Sequence, residues 1–310
     1  TCTMSTDTAY RLTYATMFDP PASLHQRFDD ALAQVQRTLG AEHRMSIAGR
    51  SRGSPRSFEL RSPIDHGWLL GRFAQGSAAD ADDAVEAARL AAPGWAATPW
   101  LQRIEKLRRA ATHIEQHVFT LAAAVALEVG KNRMEAIGEV QETADLIRWY
   151  CDQMEEHAGF DRTLPDDPLP GWRSHNRTVL KAHGVWAVIA PFNFPFALAG
   201  GPIAAALVAG NTVVFKTASA TAWSGRLLMD AFNAAELPPG VLNLVCGDGA
   251  EVGREGCLSI PQLTANVRRL VDVDVSSRDG DLRFEGFEAR LAQHEIDHLS
   301  GLLFLDRVDS

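Results

Sequence analysis

The sequence predicts an α/β protein in two unequal parts, and three observations carry that prediction. Long helical periodicities fill the first half, then short β-branched runs alternate with helices between residues 185 and 249, and the alternation stops after Gly253. Strand, helix, strand, helix, strand is the pattern of a parallel sheet, whose ligands bind beyond the carboxyl ends of the strands. The residues after Gly253 read as a small α+β segment, so the expected division is 1–253 and 254–310.

Residues 1–60 read as irregular, apart from a helical pattern from Leu24 to Leu39. Ser77-Ala78-Ala79-Asp80 has the form of a capping box and opens an amphipathic helix, with Ala84, Val85, Ala88 and Leu90 expected toward a core. Pro93-Gly94 is expected to end it. From Leu101 to Val129 apolar residues recur at three- and four-residue steps, predicting one long helix closed by Gly130. Met134 to His157 predicts another, and Pro165 to Pro170 a connector. Val185–Ile189, Thr212–Phe215 and Val241–Val245 are the expected strands, and Ala197–Ala209 and Trp223–Ala235 the helices around them. Beyond Gly253, Val271, Val273 and Val275 alternate with aspartates as a half-exposed strand does. Arg278 to Asp281 is its hairpin turn, Leu282 to Phe284 the return strand, and Phe287 to Leu299 a final helix.

The chain has 310 residues, 46% hydrophobic and 22% charged, with a formal charge of −9. Acidic residues outnumber basic ones on both sides of Gly253, so no nucleic-acid surface is expected. The longest apolar stretch, from Pro202 to Phe215, is interrupted by Gly210 and Asn211, and no membrane span is expected. The first residues show no basic start followed by an apolar run, so no secretory signal is expected. Four scattered cysteines suggest no disulfide framework and fit a cytoplasmic protein.

Several words in order, Glu128-Val129-Gly130-Lys131-Asn132-Arg133, Gln141-Glu142-Thr143-Ala144-Asp145, Ile189-Ala190-Pro191-Phe192-Asn193-Phe194-Pro195, and Ala209 to Lys216, make residues from about Leu12 to Gly253 distinctive. They resemble the N-terminal half of the aldehyde dehydrogenases, in the 1-pyrroline-5-carboxylate dehydrogenase branch. The resemblance implies a truncated Rossmann-like NAD(P)-binding domain. It also implies that Asn193 donates to an oxyanion and that Lys216 reaches the dinucleotide ribose. Thr217 stands where that family usually has proline. Taken alone, Asn193 reads as a turn amide and Lys216 as a solvated strand-end charge. Gly247, Gly249 and Gly253 are spaced one residue wider than the dinucleotide fingerprint, and Gly249 is the candidate cofactor glycine. The cysteine nucleophile and glutamate base of that family have no counterpart after Gly253, so aldehyde oxidation by this chain alone is not expected.

In the second part, His294 and His298 are four apart, so one helix face can present both imidazoles to one metal, with Glu295 beside them as a base. Cys257 can supply a thiolate, and three ligands leave one position open for water. With Glu255-Gly256-Cys257-Leu258-Ser259 upstream and Leu302 to Arg307 downstream, residues 255–308 resemble the C-terminal half of the peptide deformylases. That resemblance implies Fe(II) or Zn(II), an N-formylmethionyl peptide as substrate, and the backbone N–H of Leu258 at the oxyanion. The N-terminal half of that family has no counterpart here. Taken alone, the histidine pair reads as a chance pattern on a surface helix, with Cys257 a small buried side chain.

These features support three functions. The chain is a deformylase-type metal hydrolase, whose ligands and base form the one complete reacting set. Otherwise it is an NAD(P)-dependent aldehyde dehydrogenase fragment, or an inert fusion or artefactual join.

Overall fold

The computed structural model describes residues 20–168, 170–171, 173–249, 272–277 and 280–285. A helix, α1 (Ala22–Gln36), leads into four short strands, β1 (Ala41–His43), β2 (Met45–Ile47), β3 (Arg50–Arg52) and β4 (Ser57–Arg61), followed by β5 (Leu69–Ala74). Four helices come next, α2 (Ala78–Ala97), α3 (Trp100–Gln116), α4 (Val118–Val129) and α5 (Arg133–Glu156). A ribbon of β6 (Asp161–Thr163) and β7 (Arg177–Val179) precedes the alternating part: β8 (Val185–Ile189), α6 (Ala197–Val208), β9 (Thr212–Lys216), α7 (Ala222–Asn233) and β10 (Leu242–Val245). A separate hairpin, β11 (Asp272–Ser277) and β12 (Gly280–Glu285), is antiparallel from Asp272↔Glu285 to Ser277↔Gly280. It is the expected strand and return strand. The final helix expected over Phe287–Leu299 and the 253/254 boundary lie outside the described residues.

The main sheet runs in the order β3-β2-β10-β9-β8. β8, β9 and β10 are parallel, as the alternation required, with Ile189 opposite Lys216 and Lys216 opposite Val245. β2 joins antiparallel to β10 through Ser46 and Leu244. A second sheet, β1-β5-β4, takes the strand just before β2, so the chain changes sheets across Arg44. Residues 20–60 are therefore not irregular. Three-residue strands are too short to show a period of two, which is why the sequence hides them.

Helix termini obey the local chemistry. Ser77 and Asp80 form the expected capping box on α2, and Gly130 closes α4 with φ of 79°. Asn132 caps α5 by accepting from the N–H groups of Met134 and Glu135.

Two helix expectations are corrected. α2 does not stop at Pro93-Gly94 but continues to Ala97, because Trp95 is 1% exposed and its Nε1 donates to the Leu207 carbonyl at 3.0 Å. Only Ala84 and Ala88 of its expected core face are buried, while Val85 and Leu90 face solvent. The single helix over Leu101–Val129 is two helices broken at His117. α3 buries one stripe, whereas every residue of α4 from Leu121 to Glu128 is buried, and the two burial patterns require different axes. Among the described residues no helix is long and apolar enough to cross a membrane.

Candidate functional site

The carboxyl ends of β8, β9 and β10 open onto three loops. Lys216 is the last residue of β9, half-buried, and its ammonium makes no hydrogen bond or ion pair among the described residues. Burial lowers its ammonium pKa, opposed by the nearby Cys246 thiol and the Asp248 carboxylate. Its carbonyl accepts from Ala190 N–H at 3.1 Å, so the loop that carries Asn193 leaves the sheet beside it.

Asn193 is exposed between Phe192 and Phe194, and its side chain makes no hydrogen bond among the described residues. Its amide is therefore not occupied by the turn it sits in. The loop is held from both sides. The Lys131 ammonium lies 3.4 Å from the centre of the Phe194 ring. The same ammonium pairs with Glu139 at 2.6 Å, and the other Glu139 oxygen accepts from Phe196 N–H at 2.8 Å and Ala197 N–H at 3.3 Å. Glu139 is a buried carboxylate closing the N-terminus of α6.

A second buried acid does the same for α7. Glu128 accepts from Trp223 N–H and Ser224 N–H, each at 2.8 Å, and from the Ser224 hydroxyl. Full burial pushes its pKa up to about 7 against those hydrogen bonds, and the Glu139 charge pushes the same way. The N-termini of α6 and α7 are thus occupied by the protein's own carboxylates. Sequence reading missed Glu128 and Glu139. The available signal was an acid at a core position of each helix, Glu128 within a buried run and Glu139 one residue before Val140 on the face of Ala136, Ile137 and Thr143.

The third loop succeeds β10. Gly247 has φ of 146°, a region that favours glycine, and its carbonyl accepts from the Ser219 hydroxyl at 2.9 Å. The Cys246 carbonyl accepts from Gly76 N–H at 2.7 Å, so the loop is fixed on two sides. Gly249 is described at its end, and Gly253 is not. Thr221, at the start of α7, keeps a buried hydroxyl without a hydrogen-bond partner among the described residues.

The structure thus brings Lys216 and the Gly247–Gly249 loop together at one end of the sheet, with the Asn193 loop leaving from that end. Cys246 is fully buried, and burial pushes its thiol, like that of Cys151, up to about 12. Neither is a thiolate near neutral pH. Cys257, Leu258, His294, Glu295 and His298 lie outside the described residues. Among the described residues no group of three or more His, Cys, Asp or Glu could hold a metal ion.

Comparison with known proteins gives matches to two families. The profile of the aldehyde dehydrogenase family matches residues 50–258, and that of polypeptide deformylase matches residues 243–310. The 1-pyrroline-5-carboxylate dehydrogenase of Staphylococcus epidermidis is 32% identical over 228 residues, which are 74% of this chain and 43% of that protein. The N-succinylglutamate 5-semialdehyde dehydrogenase of Escherichia coli K12 is 38% identical over 194 residues, 63% of this chain and 38% of that protein. Among solved structures, a Thermus 1-pyrroline-5-carboxylate dehydrogenase with bound NAD superposes with a TM-score of 0.72 at 29% identity. That likeness covers 79% of this chain and 46% of the other. The chain therefore spans less than half the length of the curated relatives it matches.

Proposed function

Because the chain belongs to the aldehyde dehydrogenase family, we propose that the crevice at the ends of β8, β9 and β10 binds a nicotinamide dinucleotide, NAD or NADP. The observation that carries this is Lys216, a half-buried amine with no hydrogen bond or ion pair among the described residues, beside a glycine loop pinned by Ser219 and Gly76. Lys216 donates to a ribose hydroxyl. The glycine loop, Gly249 included, lets phosphate oxygens approach the backbone closely. Since Glu139 and Glu128 already fill the ends of α6 and α7, phosphate is directed to the loop after β10. When bound, the cofactor accepts hydride. Asn193 would donate to the oxygen on which negative charge develops when a nucleophile from outside the described residues adds to an aldehyde, before any hydride leaves. The relatives point to semialdehydes as the substrate class. Neither of the two described cysteines, Cys151 and Cys246, is an activated thiol.

Titration of the full chain with NAD and NADP, monitored by tryptophan fluorescence or calorimetry, tests this. Saturable binding is expected, weakened about tenfold in Lys216→Ala, the loss of roughly one charged hydrogen bond. Absence of binding at millimolar cofactor overturns the reading.

A second reading concerns residues 254–310 and is favoured by the deformylase profile match. In it Cys257, His294 and His298 hold Fe(II) or Zn(II), a donor set that suits both metals. Glu295 moves the proton and the Leu258 N–H supports the oxyanion while formate leaves an N-formylmethionyl peptide. About one metal per chain is expected by elemental analysis, lost in Cys257→Ser, with formate release lost in Glu295→Ala. Metal-free protein after purification without chelator ends this reading.

A further inference from the structure

The first turn of α7 has two acceptors within reach of one pair of donors. Thr221 is its N-cap residue, so the amides that its hydroxyl would ordinarily serve are those of Trp223 and Ser224. Both donate instead to Glu128, which arrives from α4, and the Ser224 hydroxyl joins them. The Thr221 hydroxyl, on a residue 2% exposed, is left without a hydrogen-bond partner among the described residues. A buried hydroxyl in that state costs free energy that an N-cap bond would recover. The backbone carries the mark of the same displacement. Thr221 has φ of −136° and ψ of 39°, away from the extended conformation that a capping residue adopts. Two bonds hold it there. Its carbonyl accepts from the Thr217 hydroxyl at 2.9 Å, and its N–H donates to the Ala218 carbonyl at 3.0 Å.

We propose that Glu128 and Thr221 are alternative caps for the same two amides, and that the start of α7 passes from the carboxylate to the hydroxyl when Glu128 takes up a proton. An ionised carboxylate accepts from several donors at once, whereas the protonated acid is a weaker acceptor with a hydrogen of its own to place. The Trp223 and Ser224 amides then gain more from the Thr221 oxygen, which finds its partner in the same step. Burial pushes Glu128 up to about 7, so the exchange falls near neutrality. The ionisable groups acting on it are Glu139 from α5, itself paired with Lys131, and Cys246 beyond β10, a thiol pushed up to about 12 and neutral throughout. From α7 it meets the Trp223 and Ser224 donors, and α1 and α3 present it with no ionisable partner among the described residues. Moving Thr221 toward the extended region turns residues 217–220 against α7 and parts the Thr217 hydroxyl from the Thr221 carbonyl. Ser219, whose hydroxyl holds the Gly247 carbonyl, lies in that segment. The corner between Lys216 and the glycine loop is thereby tied to the charge of a residue outside it. The proposal rests on neither family membership nor dinucleotide binding.

The test labels the tryptophan nitrogens of the full 310-residue chain and follows their backbone amide resonances from pH 5 to pH 9. Trp223→Phe identifies the Trp223 signal among those of the seven tryptophans. In the parent chain that signal should shift with a midpoint near 7, and Glu128→Gln should lose the midpoint. Thr221→Val removes the second cap and keeps the shape, so the midpoint should fall by roughly half to one pH unit, the worth of one cap. Thr221→Ser, which restores the hydroxyl, should return it to the parent value. Urea unfolding supplies an independent sign. Relative to the parent, Thr221→Val should unfold at lower urea at pH 5.5 and at equal or higher urea at pH 8.5. A hydroxyl that served packing alone would move both measurements the same way. The proposal is overturned if Thr221→Val leaves the midpoint in place, or destabilises the chain alike at both pH values. A Trp223 amide that does not respond between pH 5 and pH 9 overturns it as well.

Discussion

At the scale of single residues, Glu128 and Glu139 organise the site although neither faces it. Glu139 is buried together with the Lys131 head group, and removing one partner of such a pair typically costs about 3–5 kcal/mol. Glu139→Ala should therefore lower stability in urea by about that much and release the Phe192–Phe196 loop to faster exchange. Glu128 behaves differently, because its pKa in the fold, about 7, lies above its ordinary 4.5. The folded state then binds the extra proton between those values, so this group's contribution to stability declines as pH rises from about 4.5 to 7. Glu128→Gln removes that dependence. Between pH 5 and pH 8 the variant should gain about 1–3 kcal/mol relative to the parent chain in denaturation experiments. Lys216 and Asn193 were legible in the sequence because both stand at the end of an apolar run, where a polar side chain is conspicuous. The two glutamates were not, because an acid within a helix reads as solvent-facing until tertiary packing surrounds it.

At the scale of elements, starts were easier to read than stops. Ser77 and Asp80 announce α2 through a side-chain to backbone exchange that needs no tertiary partner, and Ser77→Ala should cost about 1 kcal/mol in thermal unfolding. The other end of α2 is set by Trp95 reaching Leu207, over a hundred residues away in the chain. That contact overrides Pro93, and no local pattern contains it. Trp95→Phe keeps most of the packing and removes one hydrogen bond from the Leu207 carbonyl, which still accepts from Gly210 N–H, so a loss of about 0.5–1.5 kcal/mol is expected, with the last turn of α2 exchanging faster. The strands β8, β9 and β10 were legible from β-branched runs between helices. The break at His117 was not, since α3 and α4 share one periodicity in sequence and separate only when one helix is enclosed on all sides.

For the whole molecule, the change of pattern at Gly253 belongs to the sequence alone: a parallel sheet must keep alternating, and the residues after Gly253 do not continue the pattern. The two family matches overlap at residues 243–258. If the crevice binds cofactor in the folded state alone, NAD at a hundred times its dissociation constant should stabilise the chain by about 2.7 kcal/mol. A matching rise in melting temperature, about halved in Lys216→Ala at the same concentration because tenfold weaker binding leaves about 1.4 kcal/mol, checks this. The capping of α6 and α7 has a temporal corollary as well. Glu139 precedes Phe196 by 57 residues and Glu128 precedes Trp223 by 95. On the ribosome both acids emerge well before the amides that will receive them. The nascent helices α4 and α5 must wait in water with charged side chains, and the loops around Lys216 and Asn193 take shape late, only once those long-range closures are made.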